Sequence, residues 1–321
     1  MAAILVENLT KSFNGFKAVD SISLEVSEGE VFGLLGPNGA GKTTTIKILV
    51  TLLKPTSGKA FVAGYDVVKR AEEVRKRIGV VFQEPTLDLE LTAVENLDFH
   101  GRLYGMDGRS RRRRIKEVLE LVGLEDKANV LVKNFSGGMQ RRLEIARGLM
   151  HEPEILFLDE PTLGLDVQTR RRIWEYIESL KESGVTVVIT THYIEEAERL
   201  CDRVAIIDLG RIIAIGSPNK LRKLVGGDLI TLEVDGNVNF SDFNISIAEK
   251  VTVRNGIVEM TVKNGEEAIP LIIESLQSKG VKIKSVSLRR PTLEDVFVSL
   301  TGRRIRDEGE EWKFWLRMRR R

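Results

Sequence analysis

Gly36-Pro37-Asn38-Gly39-Ala40-Gly41-Lys42-Thr43 spells a glycine, four residues and then Gly-Lys-Thr, followed by Thr44. Glycines at that spacing let the backbone curl so that its N–H groups converge on phosphate oxygens, and a helix starting there adds its partial positive charge. Lys42 brings a full charge to the β- and γ-phosphates of a nucleoside triphosphate, and the Thr43 hydroxyl is placed to bind Mg²⁺. A second chemical feature lies 116 residues on, where Ile155-Leu156-Phe157-Leu158 runs into Asp159-Glu160. A carboxylate pair at the end of an apolar strand sits where open α/β sheets bind ligands. Asp159 fits a Mg²⁺ role, direct or through water, and Glu160 is the better group to polarise an attacking water.

The elements that carry these residues are legible nearby. Val31-Phe32-Gly33-Leu34-Leu35 is a continuous apolar run, expected of a strand buried on both faces. A helix is expected from Lys42 to about Leu53, closed by Pro55 and Gly58. Ile4–Val6 and Ile22–Val26 alternate apolar and polar residues around a turn at Asn14-Gly15. Further strands are expected at 59–63, 78–82, 155–158 and 185–189. Helical periodicity dominates 92–122, and another helix starts at Ser136. The alternation implies an α/β domain with a mainly parallel sheet and an inserted helical region at about 88–150. After Gly226-Gly227 the pattern becomes a small α+β domain: strands at 229–234, 250–254, 257–262 and 282–288, an Asn255-Gly256 hairpin turn, and helices at 266–279 and 291–302.

Composition narrows the class. The chain has 321 residues, 49 Lys+Arg against 47 Asp+Glu, and a net charge of +2. That balance offers no argument for nucleic acid as a partner. A single cysteine, Cys201, excludes an internal disulfide and points to a reducing compartment. The start MAAILVENLTKSF lacks the pattern of a signal peptide, and no apolar run nears the ~20 residues that cross a bilayer. The expectation is a soluble chain, with any membrane role coming through partners.

Phe135-Ser136-Gly137-Gly138-Met139-Gln140-Arg141-Arg142 closely resembles the Leu-Ser-Gly-Gly-Gln signature of ATP-binding-cassette (ABC) proteins. The other family elements follow in order over residues 1–225. Gln83 resembles the Q-loop glutamine, Leu163-Gly164-Leu165-Asp166 the D-loop, His192 the switch histidine, and Phe13 the aromatic that stacks on adenine. The resemblance implies a P-loop NTPase cassette with a mainly parallel core sheet, an antiparallel β subdomain and the helical insertion. ATP and Mg²⁺ would be its cofactors. It also implies a head-to-tail pair of cassettes, where Ser136, Gly137, Gly138 and Met139 of one chain meet the γ-phosphate bound by the other. Physically, Ser136 caps a helix and the glycines leave N–H groups open to an anion. With one cassette per chain, a homodimer is the simplest pair. Met139 in place of glutamine, Phe135 in place of leucine and Leu163 in place of serine depart from the family pattern and are expected to tune the site.

Within the family, Ser-Gly-Gly-Met-Gln-Arg-Arg at 136–142 and Pro291-Thr292-Leu293-Glu294-Asp295-Val296-Phe297 resemble daunorubicin-type, drug-resistance subunits. These carry a C-terminal domain, here 226–302, assigned to assembly or regulation. The implied role is ATP hydrolysis by Lys42, Gln83, Glu160 and His192, coupled to export through separate membrane subunits on the cytoplasmic face of the membrane. The alternative is a soluble cassette ATPase of translation or DNA repair, or an importer ATPase; translation factors carry two cassettes and repair proteins long coiled coils, neither of which is read here. An importer ATPase would carry a barrel-like extension. Arg111–Arg114 reads as a solvated helix face beside Glu117 and Glu120. Two of the three histidines, His100, His151 and His192, are expected to do nothing chemical. The tail 303–321, with Trp312, Phe314 and Trp315, suits a membrane interface or a docked or disordered end equally.

Overall fold

A twelve-residue strand β1 (Ala2–Phe13) folds back on β2 (Phe16–Ser27) through Asn14 and Gly15, both left-handed with φ of 47° and 82°. Two left-handed residues are what a type I′ turn needs, and Asn-Gly adopts it at little cost. The computed structural model describes residues 2–234, 248–254, 257–278, 280–302 and 305. The Asn255-Gly256 turn and nearly all of the 303–321 tail, its aromatics included, lie outside them.

The chain divides into two compact units at Ser217–Pro218, ahead of the Gly226-Gly227 pair. In the first unit, β3 (Val31–Leu35) leads into α1 (Lys42–Leu49), then β4 (Ser57–Val62), β5 (Tyr65–Asp66), α2 (Ala71–Arg75) and β6 (Ile78–Val81). Helix α1 stops at Leu49 and not near Leu53. Thr51 is left-handed, and the N–H groups of Leu52 and Leu53 both turn back to the Lys47 carbonyl, closing the helix early. Three helices follow: α3 (Ala93–Leu103), α4 (Gly108–Leu121) and α5 (Gly137–Gly148). Then come β7 (Ile155–Asp159), α6 (Val167–Glu182), β8 (Thr186–Thr191), α7 (Ile194–Leu200), β9 (Arg203–Asp208) and β10 (Arg211–Gly216).

Two sheets result. One has the order β2-β1-β4-β5 and is antiparallel. The other has the order β10-β9-β3-β8-β7-β6, parallel except for β10. Strands β3, β7 and β8 are buried at every residue, which explains the apolar runs Val31–Leu35, Ile155–Leu158 and Val187–Ile189. Ile46, Ile48 and Leu49 of α1 join Ile4, Val6 and Leu9 of the antiparallel sheet and Phe32 and Phe157 of the parallel sheet in one core. Helix α1 is thereby held by both sheets, and its N-terminus is fixed where β3 ends.

The arginine run does more than face solvent. Arg111 Nε reaches Asp98 of α3 at 2.5 Å and its Nη1 donates to Met106 O at 2.8 Å. Arg114 Nη2 donates to Leu149 O at 2.9 Å. These two arginines staple α4 to α3 and to the end of α5, while Arg113 stays exposed beside Glu117. His151 is bonded to Ile78 O at 2.9 Å and stacked on Tyr104 at 3.7 Å. Burial pushes both His100, to about 4, and His151 below the usual histidine range. Both rings are neutral packing groups at physiological pH. Cys201 is buried, and burial raises its thiol pKa, so it is inert packing.

The second unit holds α8 (Pro218–Arg222), β11 (Asp228–Val234), β12 (Ala248–Arg254), β13 (Ile257–Val262), α9 (Gly265–Ser278), β14 (Ile283–Arg289) and α10 (Leu293–Thr301). Its antiparallel sheet has the order β12-β13-β11-β14. Ile230, Leu232 and Val234 alternate on β11, and Val258, Met260 and Val262 on β13. They meet Ala268, Ile272 and Leu276, spaced by four on α9. Thr292 and Asp295 form a capping box at the start of α10, and left-handed Gly302 ends it.

Candidate functional site

Glycine geometry shapes the loop between β3 and α1. A Cβ on Gly36 would stand 2.2 Å from Ile207 O, and one on Gly41 would stand 2.5 Å from Ala18 O at a φ of 105°. Gly39 is left-handed at φ 78°. Ala40 is turned inward, 2% exposed, with its N–H donating to Pro37 O at 3.2 Å. The loop therefore rests against β9 and β2, and Lys42, Thr43 and Thr44 open α1 beneath it.

A cavity of about 830 Å³ lies over this loop. It is lined by Pro37, Asn38, Gly39, Gly41, Lys42, Thr43 and Thr44, with Phe13, Phe16 and Ala18 at the hairpin side and Gln83, Glu160, Leu163 and His192 as well. These residues come from the β1–β2 hairpin and from the ends of β3, β6, β7 and β8, and the last four are neighbouring parallel strands opening at the same edge. Gly36, Ala40 and Asp159 lie behind the cavity wall and do not line it. Phe16 was not anticipated from the sequence. It pairs with Phe13 across the hairpin, and both rings are exposed, at 50% and 43%. The available signal was two aromatics flanking one Asn-Gly turn.

Inside the cavity the charges are linked. Lys42, 4% exposed, donates from Nζ to Gly36 O at 2.7 Å and Pro37 O at 3.0 Å and lies 3.3 Å from Glu160 Oε1. His192 Nδ1 is 3.3 Å from Glu160 Oε2. Burial drives the Lys42 pKa down, against the opposing pull of Glu160 and Asp159. Burial alone would raise the Glu160 carboxyl, but His192 and Lys42 outweigh it and hold the group below the ordinary glutamate value. Glu160 is thus a carboxylate at neutral pH, able to accept a proton. Thr43 Oγ1 donates to Asp159 Oδ1 at 3.3 Å, and Thr190 Oγ1 donates to the same oxygen.

Glu160 has a φ of 48°, a left-handed backbone that a non-glycine residue holds only when its surroundings enforce it. Its N–H donates to Thr190 O at 3.1 Å and Thr190 Oγ1 at 3.0 Å, tying it to β8.

The Ser136–Met139 segment is not part of this cavity. Ser136 is exposed and accepts from Met139 N at 3.3 Å, the N-cap of α5. The two glycines differ in what demands them. A Cβ on Gly138 would meet Thr169 Cγ2 at 2.4 Å, so α6 requires a bare residue there. A Cβ on Gly137 would touch nothing within 4 Å among the described residues, so no packing there calls for glycine at that position. Asp166 caps α6 through Gln168 N and Thr169 N, both at 3.0 Å.

Comparison with known proteins agrees with this geometry. The family described as ABC transporter matches residues 19–163, and the C-terminal domain of DrrA1-3-like ATP-binding proteins matches 216–301. The chain is 42% identical to the daunorubicin resistance ATP-binding protein DrrA3 of Streptomyces coeruleorubidus, over 95% of this chain and 98% of that one. It is also 42% identical to the Nod factor export ATP-binding protein I of Cupriavidus metallidurans, over 96% and 100% of the two chains. Among solved structures, a dimeric post-hydrolysis form of the ATP-binding cassette MJ0796 with ADP and Pi aligns with a TM-score of 0.61. It is 32% identical and covers 67% of this chain and 98% of that one.

Proposed function

The chain belongs to the ABC transporter family, as an ATP-binding and ATP-hydrolysing subunit, and on that premise we propose how its residues divide the work. The adenine stacks against Phe13 and Phe16. Lys42 leaves the Gly36 and Pro37 carbonyls and Glu160 to bind the β- and γ-phosphates, while the N–H groups of the loop and the start of α1 surround them. Thr43, Gln83 and Asp159 offer hydroxyl, amide and carboxylate oxygens, a donor set that suits Mg²⁺, whose charge would offset that of the phosphates. Glu160, an anion aimed into the cavity, orients the attacking water and accepts its proton. His192, beside Glu160, donates to the transferring phosphoryl group.

Two copies of the chain close head to tail, so that Ser136, Gly137, Gly138 and Met139 of one meet the nucleotide of the other. The exposure of Ser136 and the open space around Gly137 support this reading, because among the described residues nothing lies within 4 Å of a Cβ placed on Gly137. Among the described residues no helix is long and apolar enough to cross a membrane. On the likeness to transporter ATP-binding subunits, separate permease subunits supply the membrane path, and the cassette pair engages them from the cytoplasmic face. The relatives named for daunorubicin resistance and Nod factor export favour export as the direction.

One observation carries the assignment. Lys42, Glu160 and His192 form a continuous chain of 3.3 Å contacts in a cavity floored by the phosphate loop. Glu160→Gln is expected to lower turnover by roughly 100-fold or more, the usual weight of a positioned base. ATP binding, read by a fluorescent nucleotide, stays within a few-fold, and ATP drives the variant into a stable dimer. Parental turnover in that variant would remove Glu160 from the role.

A further inference from the structure

One face of α5 carries Arg141, Glu144 and Arg147 at intervals of three, and none of the three touches the cavity. Arg141 is 7% exposed and Glu144 is 2% exposed. The Arg141 guanidinium donates from Nε to Pro161 O at 2.8 Å and from Nη2 to Asp159 O at 3.0 Å. Its Nη1 donates to Phe82 O at 2.5 Å and to Glu144 Oε2 at 2.9 Å. Glu144 Oε1 in turn accepts from Thr86 N at 2.7 Å, and Arg147 Nη1 donates to Thr86 O at 2.7 Å.

The carbonyls that Arg141 holds are not arbitrary. Asp159 and Pro161 are the residues on either side of Glu160, and Phe82 immediately precedes Gln83. A single planar fork thus grips the backbone before and after the left-handed Glu160, while Thr190 holds the Glu160 N–H from β8. The same fork touches the peptide that leads into Gln83. A strained backbone persists where it is held from several sides, and here Arg141 and Thr190 supply those holds. A lysine, with a compact ammonium, cannot span acceptors set around a planar fork.

We propose that Arg141 is a positioning residue for hydrolysis: it fixes the backbone that aims Glu160 and ties both Glu160 and the Gln83 segment to the helix bearing Ser136. Movement of α5 is then transmitted to the water-orienting carboxylate and to Gln83 together. This inference rests on Glu160 acting as the base.

The test uses full-length protein with Arg141→Lys and Arg141→Gln, each alone and with Glu160→Gln. Single-turnover hydrolysis at saturating Mg-ATP, affinity for a fluorescent ATP analogue and thermal midpoint are read for each. Arg141→Lys should slow hydrolysis at least tenfold, with nucleotide affinity within about threefold, and Arg141→Gln should slow it further. In the Glu160→Gln background, Arg141→Lys should change the residual rate by less than twofold, because the group it aims is gone. If Arg141→Gln does not fold, the lysine variant and its double variant decide the matter alone. Hydrolysis within twofold of the parent in Arg141→Lys would overturn the proposal. So would an equal slowing with and without Glu160, which is the behaviour of a purely structural residue. Parental turnover of Glu160→Gln alone would instead refute the base assignment on which this stands.

Discussion

Glu160 bridges Lys42 and His192 through two 3.3 Å contacts, and in the proposed mechanism nucleotide replaces part of that set. Lys42 currently satisfies its ammonium with two loop carbonyls and a carboxylate, which is how a cation that is 4% exposed remains tolerable. Phosphate oxygens are equivalent partners for the ammonium, so Lys42 itself stays paired through the exchange. At the hairpin side of the cavity Phe13 and Phe16 are both exposed. Stacking of a base on an aromatic side chain is worth about 1–3 kcal/mol by alanine substitution. Phe16→Ala is therefore expected to raise the KM for ATP by roughly five- to a hundredfold while kcat at saturation changes less than twofold. Steady-state kinetics check it, and an unchanged KM would leave Phe13 as the sole stacking ring.

Helix α5 has two demands placed on its first turn. Its Ser136 cap and Gly137 face outward, while Gly138 lies against Thr169 of α6. Adding a methyl at 138 drives it to 2.4 Å from Thr169 Cγ2, an overpacking that typically costs about 1–3 kcal/mol. Gly138→Ala should lower the thermal midpoint, and Thr169→Ser, which removes that methyl and keeps the hydroxyl bonded to Asp166, should recover most of the loss. Failure of the second change to rescue the first would mean that Gly138 is required for its backbone and not for its size. The arginines of α4 act at the same level. Arg111 and Arg114 knit α3, α4 and the end of α5 into one block, so the helical insertion can move as a body.

The proposed head-to-tail pair would make each ATP site a composite of two chains, which gives a direct complementation test. Lys42→Ala chains lack the phosphate grip in both sites of their own dimer, and Ser136→Arg chains obstruct the partner's γ-phosphate in both of theirs. Mixed dimers contain one site with Lys42 from one chain and an unaltered Ser136 from the other. Mixing the two inactive proteins should restore ATPase activity well above either alone, up to about half the parental rate per mixed dimer if the two sites act independently. Activity that stays at the level of the separate variants would argue against sites shared between chains.

Much of the site was legible in the linear order of residues because its chemistry is local. The Gly36–Thr44 loop, the Asp159-Glu160 pair and the Ser136 cap each complete a physical unit within a few neighbours, and the apolar runs of β3, β7 and β8 reveal strands buried on both faces. Other features depended on residues brought together from a distance. The left-handed Glu160 is contacted through its N–H by Thr190 of β8, and its flanking carbonyls by Arg141 of α5. Arg111–Arg114 resembled a solvated face because Asp98, Met106 and Leu149, which bind two of its members, belong to other elements. Phe16 joined Phe13 only when the hairpin fold brought them side by side over the loop. Motifs report which groups are chemically able. Folding decides which carbonyls, charges and rings lie within reach of them, since hydrogen bonds and packing act over a few ångströms in space regardless of distance along the chain.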